Sequence, residues 1–141
     1  MIDIAAPRPI TQMLALPGFD YLARLALASP FLISGVVKLT DFAGAVDEVT
    51  GLDLQPAALI AALIIGAQLG GSILFLTRRA CWLGAGILAV FTLLATLLVH
   101  PFWAFEGPER GRQTATSFEH IAIMGGIALA ALLANGRGVR S

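Results

Sequence analysis

Four long apolar runs dominate the sequence, and each is close to the roughly 20 residues that a helix needs to cross a bilayer. They cover residues 21–39, 57–76, 80–100 and 117–135. Backbone between such runs has unpaired polar groups that hydrocarbon cannot satisfy, so we expect the connections to be loops outside the membrane. The sequence therefore predicts an all-α integral membrane four-helix bundle, with an N-terminal segment over residues 1–20 and a tail over 136–141.

The composition supports a bilayer as the main partner and excludes two other classes. The chain is 57% hydrophobic and 13% charged, with a mean hydropathy of +0.85, which is too apolar for an ordinary water-soluble domain. Its formal net charge is zero, so there is no basic surface for nucleic acid. The single Cys81 excludes an intrachain disulfide and CxxC chemistry.

The distribution of arginines predicts the orientation. Arg8 precedes the first run and Arg78 and Arg79 fill the middle turn, while the first connection is acidic. Because cytoplasmic loops carry the excess of Lys and Arg, we expect both termini to be cytoplasmic. The first run has no basic segment and cleavage site typical of a signal peptide, so we expect it to stay as an anchor.

Small and polar residues recur at helical spacing and predict the packing faces, since membrane helices associate through small residues and buried hydrogen bonds. We expect Glu119 to lie along the fourth-run ridge and to face protein, and Thr92 and Thr96 to bond their own helix backbone. The predicted inward-facing sets are Ala62, Gly66 and Gly70; Ala85, Ala89, Thr92, Thr96 and His100; and Ala122, Gly126 and Ala130.

Ionisable residues inside a membrane span are costly and mark candidate sites. Three of the candidates, Lys38, His100 and Glu119, are expected to meet at one end of the bundle, with His120 beside them. We expect Glu119 to face Lys38 and His100 there.

Two further positions complete the candidate set. Near the other end, Arg24 is expected to donate a hydrogen bond to Gln68. Trp103 is interpreted as a headgroup-level anchor or as part of the lining of a ring-binding site.

Four stretches in this order resemble the DoxX family of four-helix bacterial membrane proteins: "RLALASPFLISGVVKLTDFAGAV", "AQLGGSILFL", "FTLLATLLVHPFWAF" and "FEHIAIMGG". The resemblance implies a multi-pass protein of the bacterial cytoplasmic membrane. It also implies a link to quinone-coupled oxidation, because the family takes its name from the membrane part of a thiosulfate:quinone oxidoreductase. Arg24 and Lys38 match the family's basic positions in the first helix, whereas Gln68 stands where many relatives carry Glu.

Two functions follow as hypotheses. In the first, the chain is a membrane subunit or accessory of a quinone-linked oxidoreductase, with His100, Glu119 and His120 handling protons and with Arg24, Lys38, Gln68 and Trp103 contacting quinone or forming its polar surroundings. No flavin, dinucleotide or haem motif is present, so electrons would come from a redox partner subunit or from the substrate itself.

In the second, the chain is a non-catalytic scaffold or accessory subunit of a larger membrane complex, or a homo-oligomer, and the polar groups only tie the bundle together. We expect no metal site, because adjacent residues on a helix point about 100° apart and Glu119 and His120 would not share an ion.

Overall fold

The computed structural model describes the backbone of residues 6–138 and the side chains of residues 6–136. This part of the chain contains helices and no strand. The ends of the predicted N-terminal segment and tail, residues 1–5 and 139–141, lie outside the described residues. The helices are α1 (Arg8–Leu14), α2 (Pro17–Thr40), α3 (Phe42–Thr50), α4 (Ala57–Leu76), α5 (Cys81–Leu98), a 3₁₀ turn (Phe102–Ala104) and α6 (Gly107–Gly138).

Four of these helical segments are long and apolar enough to span a membrane, which confirms the predicted fold class. The second predicted run coincides with α4, and the first lies within α2, which begins at Pro17. Proline suits this first helical position because its missing N–H would have no partner there. The spans alternate in direction along the chain, so the start of α2 lies beside the end of α4.

Two stretches that we predicted as loops are helical. The first connection contains α3, which buries Ala45 and Val49 one turn apart against α4, while its other faces stay exposed. Asp41 caps its start by accepting a hydrogen bond from the Gly44 backbone N–H at 3.0 Å. The nine residues of α3 are too few to span a membrane. One buried face and several exposed ones are typical of an amphipathic helix, which here lies at the end of the bundle.

The second stretch is residues 107–116, which form the first turns of α6. Gly107, the first residue of α6, has a φ of +58°, a conformation that glycine adopts without strain. Polar pairs at helical spacing support these turns: Arg112 pairs with Glu109, and Gln113 donates to Glu109 at 2.7 Å. These turns were not predicted because their charged residues do not form an apolar run. The whole of α6 is about 48 Å long at 1.5 Å per residue.

The core forms where α2, α4, α5 and α6 meet. Ala28, Phe75, Leu88 and Ile127 are buried there from the four helices. At Gly84 the backbones of α5 and α4 touch, because an added Cβ would lie 2.6 Å from the Gly71 carbonyl oxygen and would overlap the Phe75 backbone. The close approach of α4 and α5 therefore depends on the absence of a side chain at Gly84.

The predicted packing faces are confirmed in part. In α5, Ala85, Thr92 and Thr96 are buried as expected, and both threonines bond carbonyls four residues earlier, at 2.7 Å. In α6, Ala130 is buried and Gly126 faces Leu27, but Ala122 is exposed.

The predicted ridge of α4 is wrong. Ala62 and Gly66 are exposed, and an added Cβ at Gly66 or Gly70 would meet nothing within 4 Å. The buried side of α4 instead carries Ala61, Ile65 and Gln68. Ala61 and Ile65 each precede a predicted position by one residue, so the buried face is rotated around the helix axis relative to the prediction. Both faces of this helix are apolar, so small residues alone did not distinguish them.

Candidate functional site

A cavity of about 460 Å³ lies at the end of the bundle where α2 and α5 end. Its walls come from α2, α4, α5 and α6, with α3 and the following loop closing one side. Most of the lining is apolar, including Phe31 and Phe91, whose rings pack edge to face at 6.1 Å. The polar side chains in the wall are Ser34, Lys38, Glu48, Gln68, Thr92, His100 and His120.

His100 is held by the first turns of α6. It follows the end of α5, and Pro101 disfavours further helix at the residue before it. The imidazole Nδ1 lies 2.7 Å from the side-chain oxygen of Gln113. The hydroxyl oxygen of Ser117 lies 2.8 Å from the Gln113 carbonyl oxygen and 3.1 Å from the His100 carbonyl oxygen, so its single proton is directed mainly to Gln113. The helix α6 therefore contacts the side chain of His100 through Gln113 and its backbone through Ser117.

His120 lies one turn after Ser117 on the same face of α6. Its Nδ1 is 2.8 Å from the hydroxyl oxygen of Thr96 on α5. The rings of His120 and His100 pack edge to face with centroids 5.3 Å apart. Each histidine therefore has one nitrogen bonded to protein, and the two rings lie together in the cavity wall.

Lys38 contacts a different acid from the one that we predicted. It forms an ion pair with Glu48 of α3, and Glu119 is exposed on the outer face of α6. The prediction that Glu119 faces protein opposite Lys38 is wrong. Successive residues on a helix differ by about 100°, so the inward position of His120 directs Glu119 away from the bundle.

Gln68 is 3% exposed and lines the cavity from α4. Its amide nitrogen donates to the Ser34 hydroxyl oxygen at 3.0 Å. Its amide oxygen is buried and has no hydrogen-bond partner in the described part of the chain. An unpaired buried acceptor carries a desolvation cost, and Arg24 Nε and Ser72 Oγ are two further buried polar atoms of this kind in the described part of the chain.

Arg24 does not bond Gln68, which corrects another expectation. The guanidinium is 2% exposed and lies at the other end of the bundle, where α4 ends. It donates to the carbonyl oxygens of Phe75 and Leu76 at 3.3 and 3.2 Å and to Asp20 at 3.1 Å. The last carbonyls of a helix lack partners within that helix, so Arg24 acts as a cap for α4.

Of the seven residues predicted for the site, the structure brings four into the cavity wall: Lys38, Gln68, His100 and His120. The other three lie elsewhere. Arg24 caps α4, Glu119 is exposed, and Trp103 is 56% exposed and packs against Phe102 at 5.2 Å. No group of three or more His, Cys, Asp or Glu side chains that could hold a metal ion occurs among the residues with described side chains.

Three residues that line the cavity or hold a residue of its wall were not predicted from the sequence. Ser34 lies one turn before Lys38, which would have placed it on the same face of α2. Gln113 lies two turns before His120, but its segment was taken as a loop. Glu48 was assigned to a loop and considered only for its charge.

A protein-family model described as DoxX matches residues 19–101, which is more than half of the chain. The chain belongs to the DoxX family. The match covers α2 to α5 and includes Arg24, Lys38, Gln68 and His100, and it ends before α6. Searches of curated proteins and of solved structures gave no match.

The family and the four apolar helices together make this a multi-pass membrane protein. Within this DoxX protein, the cavity is built jointly by the matched region and by α6. The second histidine is therefore supplied by a segment that the family model does not cover.

Proposed function

We propose that this DoxX protein binds a quinone of the membrane pool in the cavity. In this role it is a membrane subunit or accessory of a quinone-linked oxidoreductase system in the bacterial cytoplasmic membrane. One observation carries the proposal: an apolar cavity within the spanning helices has two histidines and a lysine in its wall. Quinone sites need such an apolar slot with a few polar groups for the ring oxygens.

The dimensions and lining fit a quinone headgroup. Ligand pockets in proteins typically enclose about 300–1,000 Å³, and this cavity of about 460 Å³ falls in that range. Phe31 and Phe91 offer aromatic surface to a flat ring. Leu94 and Leu98 belong to the lining and are also about half exposed, so an isoprenoid tail would leave the cavity past these side chains toward lipid.

The polar groups would act on the oxygens of the ring. Lys38 is the one cationic side chain in the cavity wall, and it offers N–H donors to a quinone carbonyl. His100 and His120 are the residue type whose proton exchange near neutral pH makes them common proton carriers. Glu119, which we considered for this role, is exposed on the other side of α6 and is not proposed here.

Electrons must enter or leave through another protein. The sequence contains no dinucleotide or flavin fingerprint and no cysteine cluster. A quinone headgroup exchanges two electrons, so the proposal includes a redox partner subunit that contacts this bundle. The exposed small residues of α4, Ala62 and Gly66, offer one surface on which another helix can pack closely.

A specific observation favours the alternative of a non-catalytic scaffold. The basic side chains in the wall have protein partners: Lys38 pairs with Glu48, His100 with Gln113 and His120 with Thr96. Such a network would tie α2, α3, α5 and α6 together without any ligand. The cavity of about 460 Å³ beside the two histidine rings is the feature that this alternative leaves unexplained.

Native mass spectrometry separates the two proposals. The full-length protein, extracted from its own membrane in mild detergent, is expected to retain a quinone and a redox subunit. Filling the cavity with Ala95→Phe should remove the quinone, because Ala95 lines the cavity. The matched control is Ala128→Phe, which places the same side chain on the exposed face of α6 and should retain it.

A wild-type spectrum with lipids only, reproduced in several detergents, would contradict quinone binding and favour the scaffold. Equal loss of quinone in both variants would also contradict the cavity as the site. Retention of a second copy of this chain would identify the homo-oligomer among the partners that we considered.

A further inference from the structure

The hydrogen bonds around His120 fix which of its nitrogens carries the proton. Thr96 has one hydroxyl proton, and its oxygen lies 2.7 Å from the Thr92 carbonyl oxygen and 2.8 Å from His120 Nδ1. A carbonyl oxygen can only accept, so the hydroxyl proton lies on the contact with Thr92. The contact with His120 must then use a proton on Nδ1. In the neutral ring, Nε2 therefore carries the lone pair.

The same reasoning applies to His100. Gln113 donates its amide nitrogen to the Glu109 carboxylate at 2.7 Å, which turns its amide oxygen toward His100. An amide oxygen can only accept, so His100 Nδ1 carries a proton. Nε2 is again the lone-pair nitrogen of the neutral ring. Neither Nε2 has a hydrogen-bond partner in the described part of the chain.

The two lone-pair nitrogens belong to neighbouring rings, whose centroids are 5.3 Å apart. Both rings line the cavity, so the unused hydrogen-bonding capacity of the two neutral side chains is that of acceptors.

Other groups of the wall are donors. The ammonium of Lys38 pairs with Glu48 and keeps further N–H donors, and the hydroxyl of Thr92 donates to the Leu88 carbonyl oxygen at 2.7 Å. A donor can bond the oxygen of a quinone or of a hydroquinone, so it does not discriminate between the two forms. The hydroxyl of Ser34, whose oxygen accepts from Gln68, is the remaining neutral donor. An oxidised quinone presents only carbonyl acceptors, whereas its reduced form presents two O–H donors.

We propose that the cavity binds the reduced, hydroquinone form of its ligand in preference to the quinone, with His100 Nε2 and His120 Nε2 as the accepting groups. This inference rests on the proposed function and adds which redox form of the quinone pool is recognised. A hydroxyl given to a free acceptor gains a hydrogen bond, while a carbonyl placed there leaves two acceptors facing each other without a proton.

The test is equilibrium binding to the full-length protein in lipid nanodiscs under anaerobic conditions. Three probes are compared: a benzoquinone with a decyl tail, its hydroquinone, and the dimethyl ether of that hydroquinone, which keeps the ring and has no O–H. The hydroquinone is expected to bind about tenfold more tightly than the quinone, since one or two net hydrogen bonds correspond to that factor. The dimethyl ether should bind no better than the quinone.

Asparagine substitutions test the assigned nitrogens. In His120→Asn and His100→Asn, the amide nitrogen is attached to Cγ as Nδ1 is, so the bond to Thr96 or Gln113 can persist while Nε2 is removed. Each variant should lose most of the hydroquinone preference, because the affinity for the hydroquinone should fall more than the affinity for the quinone. Glu119→Gln, the exposed neighbour on α6, is the matched control and should leave the preference unchanged.

The outcomes are distinguishable. Equal binding of quinone and hydroquinone, or tighter binding of the quinone, overturns this inference and leaves the proposed function standing. If none of the three probes binds, quinone binding itself fails and the inference fails with it. A hydroquinone preference that survives both asparagine variants overturns the assignment to the histidines.

Discussion

The buried polar groups at the two ends of this bundle have different environments. At the end where α2 begins, the Arg24 guanidinium donates to two carbonyl oxygens of α4 and to Asp20, and Arg24 does not line the cavity. At the opposite end, His100 and His120 each use one nitrogen for a protein contact and border open space. Gln68 lines the same cavity from α4 and has a buried amide oxygen without a partner in the described part of the chain.

The comparison shows that burial of an ionisable residue in a membrane span does not by itself indicate function. Arg24 is the most deeply buried cation described here, yet its contacts are those of a helix cap. Arg24 Nε is also buried without a partner in the described part of the chain, so unused hydrogen-bonding capacity alone does not mark a site. The histidines are less buried and border a cavity, and this adjoining space distinguishes a candidate site from a structural network.

The largest effect is expected at the Arg24 end. Arg24→Met should reduce the free energy of unfolding by about 3 kcal/mol, because it leaves two helix-end carbonyls and Asp20 without their cation. Thermal unfolding in detergent measures this loss. Arg78→Met, an exposed arginine in the turn after α4, is the control and should change the stability by less than about 0.5 kcal/mol. The quinone affinity of the folded fraction should stay unchanged. A loss of affinity that accompanies the loss of stability would contradict the assignment of a purely structural role to Arg24.

The contact of α4 with α5 near that end is expected to show the next largest effect. Gly84→Ala should destabilise the protein by about 2 kcal/mol, because the new Cβ overlaps the α4 backbone and neither helix can move without losing packing. Gly86→Ala is the matched control on the same helix, since a Cβ there meets nothing within 4 Å. It should be neutral or slightly stabilising, as alanine is the better helix former. Similar melting temperatures for the two variants would contradict the backbone contact.

At the cavity end, the change should appear in ligand binding more than in stability. Gln68→Leu removes the hydrogen bond to Ser34 but also removes the unpaired oxygen, so we expect the unfolding free energy to change by less than about 1 kcal/mol. The thermal stabilisation given by added hydroquinone should fall, because the side chain lines the cavity and leucine changes the shape of the wall. Unfolding scans with and without ligand measure both effects. A large loss of stability without ligand would mean that Gln68 is structural, as Arg24 is.

The smallest effect concerns Lys38. A double-mutant cycle of Lys38→Met with Glu48→Gln should give a coupling of about 0.5 kcal/mol, because the side chain of Glu48 is 66% exposed and the pair is solvated. The same cycle with Glu119→Gln should give no coupling. A coupling between Lys38 and Glu119 that exceeds the one with Glu48 would show that the sequence-based pairing was right and that this geometry is wrong.

The fold could be predicted from the sequence because it depends on a strong and simple signal. An apolar run of about 20 residues has few alternatives to a spanning helix, and α4 was placed to the residue. The helices over residues 42–50 and 107–116 were missed, because both are amphipathic or charged and a search for apolar runs passes over them. Helical period would have found Gln113, Ser117 and His120 on one face.

The site was predicted only in part. The sequence indicates at which end of the bundle a residue lies, but it does not indicate how each helix is rotated about its axis. Lys38, His100 and His120 were grouped correctly from the ends of their spans. The choice between Glu119 and His120 as the inward residue depends on a rotation of about 100°, and small-residue ridges gave the wrong answer. The partner of Lys38 lay on a helix that had not been predicted, so Glu48 could not be considered.

The central claim, that the histidine end of this DoxX protein holds a quinone headgroup, is tested most directly by photolabelling. A short-tailed azidoquinone would be irradiated with the full-length protein in nanodiscs, with and without an excess of unlabelled ligand, and the labelled residues would be mapped by mass spectrometry. We expect label on cavity residues such as Phe31, Phe91 and Ile123, and we expect the unlabelled ligand to reduce it. Label spread over lipid-facing residues such as Leu63 and Leu132, unaffected by competitor, would contradict it.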